Sequence, residues 1–138
     1  MNWKVVIQLS LLGLAMGIAT VFFISSSAEP LYWLVILGFS AAIIAVRCPG
    51  RYFVHGVMLG LANSVWVTAA HVLLFDRYIA SHPDEAAMMS SMPLPDSPRL
   101  MMACVGPVIG LASGVVIGLF AVVAAKLTGR QKAAAHSS

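Results

Sequence analysis

Charge is the scarcest property of this chain. Of its 138 residues, 9% are charged and 60% are apolar, whereas a soluble domain carries about 25% charged residues. So little charge cannot cover a soluble surface, so the apolar residues must face lipid. Cysteine is equally sparse. Cys48 and Cys104 fall near opposite predicted faces of the membrane, which excludes a disulfide within one chain. Neither lies in a C-x-x-C pattern, so a zinc or thioredoxin-like site has no support. There is no H-E-x-x-H, no nucleophile–base signature and no glycine loop following a strand. Catalysis is not expected, and no cofactor is implied.

What is present is long apolar sequence. Charge-free stretches cover 5–28, 30–46, 52–75 and 100–125. A helix needs roughly 20 apolar residues to cross about 30 Å of hydrocarbon. Three stretches exceed that. The second gives about 25 Å at 1.5 Å per residue, and Arg47 can extend it by snorkelling. Continuous runs of this length exclude a transmembrane β-barrel, whose strands alternate. The expected fold is an all-α integral membrane bundle of four transmembrane helices, over about 5–25, 30–47, 52–79 and 98–127, in one domain spanning 1–130. Residues 131–138 are expected to form a flexible cytoplasmic tail. In the loop between the third and fourth spans, Ser81-His82-Pro83-Asp84 resembles a capping sequence. It predicts a short helix through about Met92, broken by Pro93, Pro95 and Pro98. Glu29-Pro30 and Ser97-Pro98 read as helix starts, and Cys48-Pro49-Gly50-Arg51 reads as a tight turn. Ser26-Ser27-Ala28 before Glu29 also resembles a signal-peptidase site, but the apolar run ahead of it is longer than the 7–15 residues or so of a signal h-region.

Six of the eight basic residues, Lys4, Arg47, Arg51, Lys126, Arg130 and Lys132, lie on one predicted side. The positive-inside rule puts that side, with both termini, in the cytoplasm. All five acids, Glu29, Asp76, Asp84, Glu85 and Asp96, fall on the other side. The basic residues therefore read as topology signals rather than a nucleic-acid surface. The expected location is a cell inner (plasma) membrane, multi-pass.

Lipid tails are as apolar as leucine, so small residues that let backbones approach hold membrane helices together. The fourth span repeats G-x-x-x-G through Gly106, Gly110, Gly114 and Gly118. Gly13 and Gly17 in the first span and Gly56 and Gly60 in the third share that spacing. These stripes serve either packing within one bundle or a self-association face. Pro107 should kink the fourth helix near its outer end. Asn63 lies near mid-depth with Ser40 and Ser113. An unpaired amide in hydrocarbon is costly, so Asn63 should point inward and bond across helices.

The outer side gathers His71, Asp76, His82, Asp84 and Glu85, together with Met88, Met89, Met92, Met101, Met102 and Cys104. Imidazole and carboxylate suit divalent metals, and thioether suits Cu(I). The spacing matches no metal motif. The plainer reading is a solvated acidic face with methionines filling a hydrophobic one.

The basic turn Arg47–Arg51, the glycine-bearing third helix, the loop Phe75-Asp76-Arg77-Tyr78-Ile79 and the glycine-rich last helix with its basic tail together resemble small uncharacterised bacterial inner-membrane proteins of the domain-of-unknown-function type. That resemblance implies architecture and no catalytic or ligand residues. Three functions are compatible with these features. The first is a structural or interaction subunit, with the bilayer and a homo-oligomer or another membrane protein as partners. The second is a small transporter or channel with a path beside Asn63. The third is an outward-facing metal or envelope sensor. The topology has a direct test. In intact cells, a membrane-impermeant thiol reagent should label Ser90→Cys and miss both Cys48 and Gln131→Cys. Labelling at position 131 would reverse the orientation.

Overall fold

The computed structural model describes residues 1–129. Arg130, Gln131, Lys132 and the expected tail 131–138 lie outside the described residues. Among those described, the chain is all-helical: α1 (Trp3–Phe22), α2 (Glu29–Arg47), α3 (Tyr52–Leu73), α4 (Phe75–Ser81), α5 (Pro83–Met89) and α6 (Pro98–Leu127). The four longer helices are long and apolar enough to cross a membrane. Large apolar side chains are exposed along their outward faces, Ile7, Leu34, Val65, Val108 and Leu119 among them, as expected of helices solvated by lipid.

Two boundaries differ from the sequence reading. The third span was expected to run to 79, but α3 stops at Leu73 and α4 starts at Phe75. The outer loop therefore holds two short helices where one was expected, and the second ends at Met89 rather than near Met92. Hydropathy alone could not see this break, because Val72-Leu73-Leu74-Phe75 is apolar throughout. Pro83 sits in the first turn of α5, with Asp84 and Glu85 beside it, where the missing N–H costs nothing and negative charge meets the positive end of the helix. The helix α6 runs unbroken through Pro107. The turn between α2 and α3 needs left-handed backbone at two successive residues, Gly50 (φ 110°) and Arg51 (φ 50°). Glycine meets that demand without a Cβ clash; arginine does so at some cost.

The packing centres on α3. It runs parallel to α1, with Asn2 near His55, Gly13 on Asn63, Gly17 on Val67 and Thr20 on His71. It runs antiparallel to α6, with Gly56 on Gly118, Gly60 on Gly110 and Gly114, Ser64 on Gly110 and Thr68 on Gly106. A Cβ added at Gly60 would strike the Gly110 carbonyl oxygen and the backbone of Gly114, and one at Gly56 would strike the backbone of Gly118. Backbone therefore touches backbone along this seam, a separation only residues without side chains allow.

The helix α2 joins this unit at one end only. Its buried residues are Ser40, Ala41, Ile44 and Ala45. They share a core with Leu59 of α3, Ile117, Ala121 and Ala125 of α6, and Val5, Val6 and Leu9 of α1. That core sits at the end of the bundle where α1 begins and α6 ends. Small residues at 41, 45, 121 and 125 let α2 and α6 close there. The other half of α2 carries Leu31, Tyr32, Trp33 and Leu34 and buries none of them. Cys48 is 4% exposed, and burial pushes its thiol above the ordinary range. Silence of Cys48 toward a thiol reagent therefore reflects burial as well as side, and the labelling comparison rests on positions 90 and 131.

The seam sets what a substitution along it costs. Gly114→Ala is mild if Gly114 makes an ordinary helix contact. Its Cβ would instead lie 2.8 Å from both the Cα and the carbonyl oxygen of Val57, and backbone atoms cannot rotate away. Gly60→Ala and Gly114→Ala should each lower stability by about 1–3 kcal/mol, with Gly114→Ile at least as damaging. Gly38, with nothing within 4 Å of its would-be Cβ, is the control: Gly38→Ala should be neutral or stabilising, by up to about 1 kcal/mol from helix propensity. Thermal unfolding in a mild detergent measures all four. Equal behaviour of Gly38→Ala and Gly60→Ala would contradict the seam.

Candidate functional site

The wedge left by the splayed half of α2 is a cavity of about 320 Å³. Its walls are Trp33 and Leu37 of α2, Val67 and Thr68 of α3, and Val105, Gly106 and Ile109 of α6. Its floor is Gly60, Asn63, Ser64, Gly110 and Ser113. Its mouth is lined by Glu29, His71 and Tyr78, with Met89, Met92, Met101 and Met102 beside them. The size falls within the roughly 300–1,000 Å³ of small-molecule sites, which are mostly apolar with a few placed polar groups. Flexible thioethers at the mouth fit a variety of apolar shapes.

The polar groups of the floor are not joined as expected. Asn63 is 5% exposed and turns its Oδ1 against Gly13, with its Cγ only 2.8 Å from where a Gly13 Cβ would stand. That oxygen has no hydrogen-bond partner among the described residues, and the cross-helix bond predicted for Asn63 is not found among them. Its neighbour across the interface offers only a Cα–H, a weak donor. Ser113 was expected to be buried with it but is half-buried, and its hydroxyl donates to the Ile109 carbonyl 2.7 Å away on its own helix. The Ser64 hydroxyl likewise donates to Leu61, at 2.8 Å. Ser40 is fully buried, away from the cavity, with its hydroxyl unpartnered. The bond that does cross α1 and α3 at this depth comes from Trp66, whose indole N–H donates to Ser10 Oγ at 3.2 Å.

At the mouth, three aromatic rings form a stack. Tyr78 lies between His71 (centroids 4.1 Å) and His82 (4.3 Å), each at 21°. All three are buried. Hydrogen bonds set the ring orientations. His82 Nδ1 donates to the Tyr78 carbonyl at 3.0 Å, leaving its buried Nε2 as an unpartnered acceptor. The Thr20 hydroxyl donates to the Gly17 carbonyl at 3.0 Å and so accepts from His71 Nε2 at 2.8 Å. Burial and the carboxylates of Glu29 and Glu85 push the Tyr78 phenol above its usual range.

This arrangement disperses the five residues grouped as candidate metal ligands. His71 and His82 are separated by the Tyr78 ring. Asp76 pairs with Arg99 at 3.2 Å on the exposed surface. Asp84 is exposed in the first turn of α5. Glu85 accepts a hydrogen bond from Ser26 at 2.8 Å. Among the described residues, no group of three or more His, Cys, Asp or Glu side chains could hold a metal ion. The methionines divide as well: Met89, Met92, Met101 and Met102 line the cavity, while Met88 and Cys104 are exposed outside it.

Three residues at the mouth carry more of the site than their sequence context suggests. Glu29 reads as a helix-start acid, Trp33 as an interface anchor and Tyr78 as a loop aromatic. The spacing of the first two was a usable signal. They stand four residues apart, one helical turn, and the Trp33 indole N–H donates to Glu29 Oε1 at 3.0 Å.

No known protein family, curated protein or solved structure matches this chain. The site must therefore be read from its own chemistry.

The Tyr78 stack has a signature in stability. Tyr78→Ala should cost about 3–5 kcal/mol, the range for deleting a buried aromatic ring. Tyr78→Phe should be nearly silent at neutral pH, since the hydroxyl makes no hydrogen bond among the described residues. Because the folded phenol titrates above the unfolded one, its contribution is complete below the ordinary phenol value of about 10 and is lost as pH rises beyond it. Between pH values of about 9 and 11, wild type should therefore lose more thermal stability than Tyr78→Phe. Parallel losses would show that Tyr78 is not desolvated.

Proposed function

We propose that this protein is a membrane-embedded binding protein, of the carrier or receptor class, that admits an apolar small molecule into the cavity between α2, α3 and α6. One observation carries the reading. The bundle is dry and closed around Leu59, Ile117 and Ala121, each fully buried, yet open above them down to Asn63. A bundle whose task was only to hold itself together would gain by closing α2 along its whole length, because every void forfeits dispersion contacts. The glycine stripe of α6, which a self-associating helix would present to a second copy, is instead occupied by α3. The closed lower half and open upper half match one end state of a gated path beside Asn63. No reacting group is needed, and an enzymatic role is not part of the proposal.

With the basic turn and tail facing the cytoplasm, the cavity opens toward the outer face of a cell inner membrane. This orientation rests on the positive-inside bias.

The test uses the indole of Trp33 as reporter. In a Trp3→Phe, Trp66→Phe background, Trp33 is the single tryptophan of the chain. The neutral apolar quencher 1,4-dibromobenzene, added to protein in a non-ionic maltoside detergent, should quench its fluorescence saturably. Val105→Phe, which fills the wall of the cavity, should remove the saturable part. Quenching that rises linearly and ignores Val105→Phe would mean partition into the micelle alone, and would return the protein to the structural class.

A further inference from the structure

The cavity is not electrically neutral at its mouth. Among the described residues, Glu29 is the one carboxylate that lines it, and no lysine or arginine does. The basic residues at this end of the bundle are engaged elsewhere. The Arg99 guanidinium pairs with Asp76 and lies 5.3 Å from the centre of the Phe75 ring. Arg77 lies 5.7 Å from the centre of the Phe22 ring, on the α1 side. Glu85 adds a second carboxylate near the mouth through its bond to Ser26. The same two carboxylates act on the Tyr78 phenol. One oxygen of Glu29 accepts the Trp33 indole N–H, which fixes the carboxylate beside an aromatic ring; its other oxygen has no donor among the described residues. Trp33 lines the same mouth, and an aromatic ring face attracts cations; the two faces of Tyr78 are already covered by His71 and His82. Below the mouth the walls are apolar, and the floor offers only the Asn63 amide and serine hydroxyls whose protons are already given to backbone carbonyls.

Resting on the cavity reading above, we infer that the site takes a lipophilic organic monocation, its charge held at Glu29 beside the Trp33 ring and its apolar body lying along α6 toward Asn63. The complementarity is specific in sign. A cation replaces water around a carboxylate that has one hydrogen bond and no ion-pair partner among the described residues. An anion of the same shape meets that carboxylate with nothing to offset the repulsion. The site is partly enclosed by apolar walls, where charge interactions are screened less than in bulk water.

Two probes of matched shape and opposite charge test this: tetraphenylphosphonium and tetraphenylborate. Each is titrated into the purified full-length protein in non-ionic maltoside by isothermal calorimetry. Tetraphenylphosphonium should bind at least about tenfold more tightly than tetraphenylborate, a modest gap for one unscreened charge. Glu29→Gln keeps the acceptor for Trp33 and should remove most of that gap, and Val105→Phe should weaken both probes. Saturable dibromobenzene quenching in the Glu29→Gln protein, built in the same single-tryptophan background, shows that the variant is folded with its cavity intact.

The failures separate. If the two ions bind equally, or if Glu29→Gln leaves the gap unchanged, the cation inference is overturned while the cavity reading stands. The same holds if neither ion binds but dibromobenzene still quenches saturably. If no probe binds, charged or neutral, both readings fail.

Discussion

The rest of the bundle depends on the contact between α3 and α6. In lipid no hydrophobic gain drives helices together, so affinity must come from close contact and from the weak attraction of many atoms at short range. Glycines at 56, 60, 110, 114 and 118 bring the two backbones against each other. Ser64, whose hydroxyl donates to Leu61 of its own helix, and Thr68, against Gly106, continue the seam toward the loop end with small side chains. Once this pair is set, α1 can lie along the other side of α3 through Gly13 and Gly17, and the aromatic stack of His71, Tyr78 and His82 can form above it.

The same principle, applied unevenly, makes the cavity. On α2 the small residues lie toward the Arg47 end and the bulky aromatics toward the Glu29 end. Ala41 and Ala45 reach the core and Leu37 packs against its edge, while Trp33 stands off from it. The helix leans because its side chains are graded in size along one face, and the space beneath its wide end is the proposed binding site. A structural device and a functional one therefore come from a single gradient.

The residues that close the mouth show how polar groups are accommodated away from water. His82 gives its one N–H to a backbone carbonyl one turn back, and His71 engages Thr20 across to α1. Trp33 secures Glu29. Each of these bonds fixes a ring plane, and together they hold the mouth in a defined shape. Asn63 at the floor is the contrast: its buried oxygen lies against Gly13 and has no hydrogen-bond partner among the described residues.

Much of the fold was legible from residue order alone. The four spans follow from the energetic demand that a helix crossing hydrocarbon be apolar for about 20 residues, and the small-residue stripes follow from how such helices must touch. The helix starts at Glu29-Pro30 and Ser97-Pro98 were local signals that needed no partner to be read. What the sequence could not decide was which surface each polar residue meets. Asn63, Ser113, His71 and His82 all look like candidates for joining one another. Whether they do depends on helix rotation and tilt, which are set by contacts between residues far apart in the chain. Tertiary packing put a tyrosine between the two histidines, turned Asn63 toward Gly13 and opened a cavity whose one carboxylate had looked like an ordinary helix-start acid. Hydropathy depends on what each residue is, so the sequence by itself determined the spans; a site depends on where side chains from separate helices converge, so only the tertiary structure could decide it.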